Sequence, residues 1–428
     1  MTTTLDSTTE VTVEILDKLL AHLPLANVSF RLWNGAVWPD AAPRPATIAL
    51  KHPGALRAML SAGTAKGLGE AYLHDDFDVE GDMESAFELA EALESRPVGW
   101  LAALATHYFI ARLPGGRRNG RQDGRNFAGL GGARHSLERD RQAVAFHYDL
   151  SNDFYRLWLD RRMVYSCGYF EEPDMTLDGA QTAKLRHLCR KLRLRPGQNL
   201  LDIGCGWGGF AIFAAEQFGV SVTGVTLSER QAELALQRVR EAGLAEKVKI
   251  ELRDYREVTK PEGFDAIVSV GMSEHVGRER LAEYFRTTWG LLKPGGIFLN
   301  HAIGEGRRAQ RFRGPSFVDE YVFPDSDIPP IPLVLQAAEG AGFEVRDVEN
   351  LREHYTLTLR QWVRRLEASH ARALTWVNEP TYRVWRLYMA GSAHGFDHGD
   401  LAIYQALLAK SDANGRLFLP LTRRDWYA

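Results

Sequence analysis

The sequence predicts an α/β protein in which a doubly wound parallel sheet follows a smaller N-terminal α+β domain. Three observations carry this expectation. From about residue 180 onward, short apolar runs alternate with segments of helical period. The first of those runs, NLLDI, leads straight into the glycine-rich turn GCGWGG. Between the two parts, residues 112–134 (RLPGGRRNGRQDGRNFAGLGGAR) replace apolar periodicity with Gly and Arg, the composition of a linker or loop.

The elements follow in order. Thr8 or Thr9 is placed to cap a helix whose apolar positions are Val11, Ile15, Leu16, Leu19, Leu20 and Leu23. Glu14 and Asp17 offset Lys18, so this helix suits packing on its own domain better than lying on anionic lipid. ATIALKHP alternates like a strand, and LGEAYLHDDFDVEGDMESAFELAEAL reads as a turn and then a helix. Domain limits are set at 1–111, with an Arg/Gly-rich linker at 112–140 and a second domain at 141–428. The linker's cations suit a solvated spacer and a contact with anionic lipid heads alike. In the second domain, GFAIFAAEQF (209–218) is the helix after the glycine turn, SVTGVTL the next strand and SERQAELALQRVREAG the next helix. KVKIELRD, FDAIVSV and GGIFLNHAI are further strands, and LAIYQALLAK belongs to a mixed tail that closes the sheet edge.

Composition narrows the function. A chain of 428 residues, 45% hydrophobic and 25% charged, suits two or three globular domains rather than a fibrous, disordered or disulfide-stapled chain. Lys+Arg 52 against Asp+Glu 55 leaves a net charge of -3, so no basic field speaks for nucleic acid. Cys167, Cys189 and Cys205 include no CxxC pair; no metal site is expected, and free thiols suit a reducing cytoplasm. The N-terminal residues have no basic segment followed by a long apolar run, and no apolar run approaches the ~18 residues of a membrane span. Contact with lipid would therefore be peripheral.

The strand–turn–helix at Leu201–Gly209 suits close approach of a ligand to backbone. A dinucleotide site would place a carboxylate at the tip of the second strand, but that strand runs into Thr226-Leu227-Ser228. No GKS or GKT follows, so a phosphate-cradling loop is excluded. Asp202, just before the turn, suits a cationic ligand: an adenosyl group carrying a sulfonium and an amino acid.

A set of motifs then occurs in order: HYDLSNDFY (147–155), YSCGYF (165–170), AQTAKL (180–185), LLDIGCGWGG (200–209), GVTLSERQ (224–231), DYRE (254–257), SVGMSEHVG (269–277), HAIG (301–304), YVFP (321–324) and HYTLTLRQW (354–362). Together they resemble the cyclopropane-fatty-acyl-phospholipid synthase family, which includes the tuberculostearic-type methylene-forming fatty acyl methyltransferases. The resemblance runs from about 140 to 425. Residues 25–110, with FRLWNG and LGEAYLHDDFDVEGD, are similar to the N-terminal domain of the phospholipid-acting members. It implies a Rossmann-like class I methyltransferase sheet, S-adenosylmethionine as cofactor, an unsaturated phospholipid in the membrane as substrate, a homodimer, and a place at the inner face of the membrane. By the same resemblance, Gly204, Cys205 and Gly206 face the methionine part of the cofactor, with Asp202 before them, and Tyr165 and Ser166 close on it. Thr226, Leu227, Ser228 and Gln231 hold the ribose, their hydroxyls and amide replacing the missing carboxylate. Tyr255 and Arg256 border the adenine. Thr226 and Ser228 would equally serve as a simple helix cap.

An alkene attacking a sulfonium methyl becomes a cation. It needs aromatic faces, for which Phe170 and Tyr355 are candidates, exclusion of water, and a base. The family uses bound bicarbonate as the base, and its pocket maps onto Cys167, Glu274, His301, Ile303 and Tyr355. Three positions depart from the family pattern: Ser273 where Phe is usual, Gly168 for Ala, and YVFPDSDIPPI for YIFPxGxLPS. They leave two products open. Direct proton loss closes a cyclopropane, and a hydride shift before proton loss gives a methylene branch.

Overall fold

The computed structural model describes residues 7–20, 23, 26–61, 65–94, 108, 110–115, 129–148, 150–309, 317–417 and 419–427. Residues 116–128 of the predicted linker, including Arg117, Arg118 and Arg121, lie outside the described residues. The chain forms two compact units: residues 1–127 with 314–321 and 378–394, and residues 128–313 with 322–377 and 395–428. This division differs from the linear limits at 111 and 140. Residues 378–394, the larger part of the helix Glu379–His398, cluster with the N-terminal unit. Arg383 in that helix donates to Tyr72 O at 2.9 Å and pairs with Asp75 at 2.8 Å.

The first unit is built on a four-stranded sheet of β1 (Val28–Arg31), β2 (Val37–Trp38), β3 (Ala46–Leu50) and β4 (Phe77–Gly81), in the order β2-β1-β3-β4. Phe30, Trp38, Ile48, Leu50, Phe77 and Val79 are buried together with helix residues such as Ile15 and Leu16. Two expectations are corrected here. The first helix starts at Ser7, and Thr9, rather than capping it, is buried with its hydroxyl accepting from Asn34 Nδ2 at 2.8 Å. The segment read as turn then helix is helix Ala65–Leu73, strand β4 and helix Met83–Glu94. Asp75, at φ 60, turns the chain out of the first helix, and buried Phe77 and Val79 alternate with polar residues facing the other way.

The second unit carries a seven-stranded sheet: β5 (Asn199–Ile203), β6 (Ser221–Thr226), β7 (Val248–Leu252), β8 (Phe264–Val270), β9 (Leu292–Glu305), β10 (Glu344–Asn350) and β11 (Leu401–Ala409). Their order is β10-β11-β9-β8-β5-β6-β7. Five strands are parallel, as predicted, and helices such as Gly209–Phe218 and Glu229–Glu241 return the chain between them. β11 breaks the pattern. It runs antiparallel between β9 and β10, so LAIYQALLAK lies inside the sheet rather than closing its edge. Its residues are almost all buried, whereas those of edge strand β10 alternate between exposed and half-buried. An insertion inside the sheet needs a strand that is apolar on both faces.

Candidate active site

The strand order changes direction at β5, which has β6 on one side and β8 on the other. Ligands of open α/β sheets bind outside the carboxyl ends of the strands at such a point. A cleft opens there, enclosing about 1160 Å³ with its mouth. Its floor is the predicted glycine turn. Gly204, Gly206 and Gly208 have φ of 76°, 53° and 76°, the left-handed region that favours glycine. Gly204 N and Cys205 N both donate to Val225 O, at 2.9 and 3.0 Å, clamping the turn onto β6. A Cβ added to Gly206 would meet nothing nearer than Gln231 Nε2 at 3.9 Å, so this backbone is open to the cleft.

The cofactor-site residues named from sequence converge on this cleft, with one exception. Tyr165, Ser166, Asp202, Gly204, Cys205, Gly206, Thr226, Leu227, Gln231, Tyr255 and Arg256 all line it. Ser228 does not: its hydroxyl accepts from Gln231 N at 3.2 Å and caps the helix Glu229–Glu241, which is the cap reading. Thr226 Oγ1 donates to Gln231 Oε1 at 2.8 Å, fixing both at the tip of β6. Arg256 is tied down rather than reaching outward. Asp254 and Asp140 each bind its Nη2 at 2.7 Å, and these bonds hold the guanidinium firmly protonated. Asp140, Val144 and Tyr148 of the helix Leu137–Tyr148 also line the cleft.

Lys184 is a cleft residue to which the sequence assigns no role. Lys184 is buried and donates to Ser166 Oγ at 2.8 Å, while its neighbour Gln181 donates to Ser166 O at 2.6 Å. Burial lowers the Lys184 ammonium to about 8, against the charges of Cys167, Asp160 and Asp202. Burial likewise raises the Asp202 carboxyl to about 7, against the pull of Lys184, and Asp202 Oδ2 has no partner. Each group of the pair is pushed toward neutrality, so the site is set to gain from a cation that restores the carboxylate. The sequence signal was available: Leu177, Gln181, Lys184, Leu188 and Lys191 lie on one buried helix face, with three polar side chains among them.

The second predicted cluster lies immediately behind the cleft lining. Ser166 lines the cleft and Cys167 follows it; His275 lines it and Glu274 precedes it. Glu274 Oε1 accepts from Ile303 N at 2.8 Å. Ile303 pairs with Ile403 across β9 and β11, and Ile403 O accepts from Leu351 N at 2.9 Å. Leu351 O in turn lies 3.8 Å from Cys167 Sγ and accepts from Tyr355 N at 3.1 Å. His301 stands two residues before Ile303 on the same face of β9, its Nδ1 3.3 Å from Gln405 Nε2. The five residues are thus joined through three neighbouring backbone segments. Tyr355 packs at 4.7 Å from the Phe396 ring and 6.0 Å from Trp362. Phe170, also buried, donates its N–H to His354 Nδ1 at 3.0 Å.

The electrostatics of this second cluster are uniform. Burial raises the Glu274 carboxyl to about 7, drives the His301 imidazolium well below its usual range and pushes the Cys167 thiol far up. Glu274 Oε2 and His301 Nε2 are both buried without a partner. Two such atoms in a packed interior suit a small polar guest that accepts and donates hydrogen bonds.

The mycolic acid cyclopropane synthetase family model matches residues 135–406. The chain belongs to this family. It is a methyltransferase dependent on S-adenosylmethionine, of the cyclopropane synthase type. A probable fatty acid methyltransferase of Pseudomonas putida is 41% identical over 411 residues, 95% of this chain and 97% of the relative. The cyclopropane-fatty-acyl-phospholipid synthase of Escherichia coli is 34% identical over 374 residues, 87% of this chain and 90% of the relative. Among solved structures, mycolic acid cyclopropane synthase CmaA1 complexed with SAH and CTAB is 36% identical with a TM-score of 0.60, covering 63% of this chain and 98% of its own. The seven-stranded sheet is therefore the class I methyltransferase sheet that the family resemblance implied.

Proposed function

We propose that this enzyme transfers a one-carbon unit from S-adenosylmethionine to the cis double bond of an unsaturated phospholipid acyl chain, and that the product carries a cyclopropane ring. The observation that carries this reading is that Glu274 Oε2 and His301 Nε2 are both buried without a partner, while Glu274 is bonded through Ile303 N to the strand that carries His301 and precedes the cleft residue His275. S-adenosylmethionine supplies an electrophilic methyl on a cationic sulfur. Gly204–Gly206 and Ser166 fit its methionine part, Asp202 its charge, and Thr226 and Gln231 its ribose. Bicarbonate fits the second cluster and would supply the base that removes a proton from the alkylated chain. Glu274 and His301 would hold it, with Cys167, Ile303 and Tyr355 around it. A Glu274 carboxyl raised to about 7 retains its proton on much of the enzyme at neutral pH. That proton can be donated to an anion, which resolves the oddity of a carboxylate beside one. The Tyr355 and Phe170 rings offer π faces to a transient cation, and burial of both keeps water from capturing it.

Phospholipid is supported by coverage. The relatives named for fatty acid and fatty-acyl-phospholipid chemistry match 95% and 87% of this chain, N-terminal unit included. The mycolic acid synthases match 61–63% of it. Among the described residues no helix is long and apolar enough to cross a membrane. A homodimer acting peripherally at the cytoplasmic face of the membrane completes the proposal.

The test is incubation with dioleoyl phospholipid vesicles and methyl-labelled S-adenosylmethionine, followed by mass spectrometry of the acyl chains. A gain of one labelled CH2 is expected, and its absence refutes acyl-chain alkylation. A second outcome, a methylene branch in place of the ring, is favoured by the 41% identity to a fatty acid methyltransferase and by Ser273 where an aromatic is usual. Gas chromatography against ring and methylene standards separates the two.

A further inference from the structure

We infer that Lys191, acting through Gln405, locks the His301 imidazole in the tautomer that carries its proton on Nε2, so that His301 presents a donor to the anion pocket. This rests on the proposed bicarbonate reading for its purpose, but not for its geometry. His301 on β9 and Gln405 on β11 are directly paired neighbours, and their side chains meet at 3.3 Å. A glutamine amide can present either its oxygen or its NH2 to a ring nitrogen, and geometry at the pair alone leaves that open. The other end of the amide decides it. Lys191 Nζ lies 3.1 Å from Gln405 Oε1. An ammonium has only donors, so the atom facing it must be the amide oxygen. The NH2 then faces His301, and Nδ1 must accept. The ring proton of neutral His301 is left on Nε2, the buried atom without a partner.

The lock is itself held. Lys191 has three N–H bonds to give and three acceptors in reach: Glu349 Oε2 at 2.5 Å, Gln405 Oε1 at 3.1 Å and Asp347 Oδ2 at 3.2 Å. Its side chain is wholly buried, so no water competes for these positions. Glu349 also binds His187 Nε2 at 2.9 Å. Burial alone would raise the Glu349 carboxyl, but the bonds and charges of His187 and Lys191 outweigh it and hold it at about 2. A chain of charge-assisted contacts therefore runs from half-buried Glu349 to the face of His301. An amide is a poor proton carrier, so this is a positioning device, and Lys191 and Gln405 are positioning residues.

The experiment is nitrogen-15 NMR of the histidine rings in the full-length enzyme, with His301 signals assigned by their loss in His301→Gln. The expected pattern is a neutral ring protonated on Nε2, both with and without added bicarbonate. A ring protonated on Nδ1 overturns the inference. Gln405→Glu places an acceptor on both sides and should move the proton to Nδ1, whereas an unchanged Nε2–H pattern in a folded Gln405→Glu protein shows that Gln405 does not set the tautomer. In steady-state assays, Lys191→Met and Gln405→Leu should each raise the bicarbonate concentration for half-maximal rate about tenfold or more, the loss of one good hydrogen bond to a charged partner. The KM for S-adenosylmethionine should stay unchanged; a fall in kcat alone would mark a merely structural role. The two readings fail separately. An Nε2–H ring in an enzyme indifferent to bicarbonate sinks the bicarbonate reading alone, and an Nδ1–H ring in a bicarbonate-dependent enzyme sinks this one alone.

Discussion

Glu274→Gln should make the protein more stable at alkaline pH while removing most of its activity. Gln keeps an oxygen for Ile303 N and matches the shape of the acid, so the change is confined to charge and to the proton on the second oxygen. The folded protein holds Glu274 at about 7, whereas the exposed carboxyl of an unfolded chain titrates at its ordinary value of 4.5. Below 4.5 both states are protonated and the stability is complete. Between the two values the unfolded chain gives up its proton while the folded one keeps it, so stability falls as pH rises, and the loss is complete above 7. At about 1.4 kcal/mol for each tenfold change in proton affinity, the ceiling on that loss is roughly 3 kcal/mol. For a domain of this size about 2–4 °C of Tm accompanies each kcal/mol, giving a span of about 6–12 °C. Thermal melts of both proteins from pH 5 to pH 8 measure it. The Tm difference should be smallest at pH 5 and widen in favour of the variant toward pH 8. Parallel Tm profiles would mean that Glu274 is not desolvated, and an undiminished turnover would remove it from the anion pocket.

Other expectations concern the cofactor cleft and the membrane. Affinity for S-adenosylmethionine should rise with pH through about 7, by up to about tenfold per pH unit below it, as Asp202 ionises opposite the cation; calorimetric titration of Asp202→Asn should give a flat profile. Gly206→Val forces a branched residue to a φ of 53° and projects its methyls into the cleft, so S-adenosylmethionine binding should be lost to calorimetry while the protein stays folded by circular dichroism. Cys167, fully buried with its thiol pushed far above the usual range, should resist alkylation in the native enzyme and react only on unfolding. Replacing Arg117, Arg118 and Arg121 with Gln should weaken sedimentation with anionic vesicles and its salt dependence if the linker meets lipid; unchanged binding would make it a solvated spacer.

How far the sequence revealed this depends on the range of the interactions. NLLDI, GFAIFAAEQF and SERQAELALQRVREAG were legible because strand, turn and helix period lie within a few residues of one another. β4 is hard to read in the sequence because its alternation spans only the few residues Phe77–Gly81 between two helices, and pairing with β3 fixes it as a strand. The place of β11 escaped because an antiparallel insertion is decided by partners about a hundred residues earlier, in β9. In the site, motif residues such as Gly204, Thr226 and Tyr165 were found one by one. Ser228 matches the ribose motif in sequence, yet its oxygen accepts from Gln231 N as a helix cap and the residue does not line the cleft. Gln181, Lys184 and Lys191 on one face of the helix Leu177–Lys191 are legible in the sequence, but their partners Ser166 and Gln405 are not until that helix and β11 are laid on the same sheet.

The polar groups of the proposed anion pocket share one property that no single motif shows. Glu274 is raised, His301 lowered and Cys167 raised, in each case first by burial, so the chamber favours the uncharged form of everything it owns. A catalytic carboxylate or imidazolium would cost less in a wetter site. The penalty makes sense if the charges that matter arrive with the reactants. A cation passing from sulfur to carbon, with an anion close by, interacts most strongly where no protein charge or water screens it. On that view Glu274 and His301 act as neutral donors, and the stability lost at Glu274 above pH 7 is the counterpart of that neutrality. The same view explains why these charged groups stand behind Gln405: Lys191 is ion-paired with Glu349 and Asp347, Asp347 also pairs with Arg423, and Lys191 reaches the pocket only through the orientation of an uncharged amide.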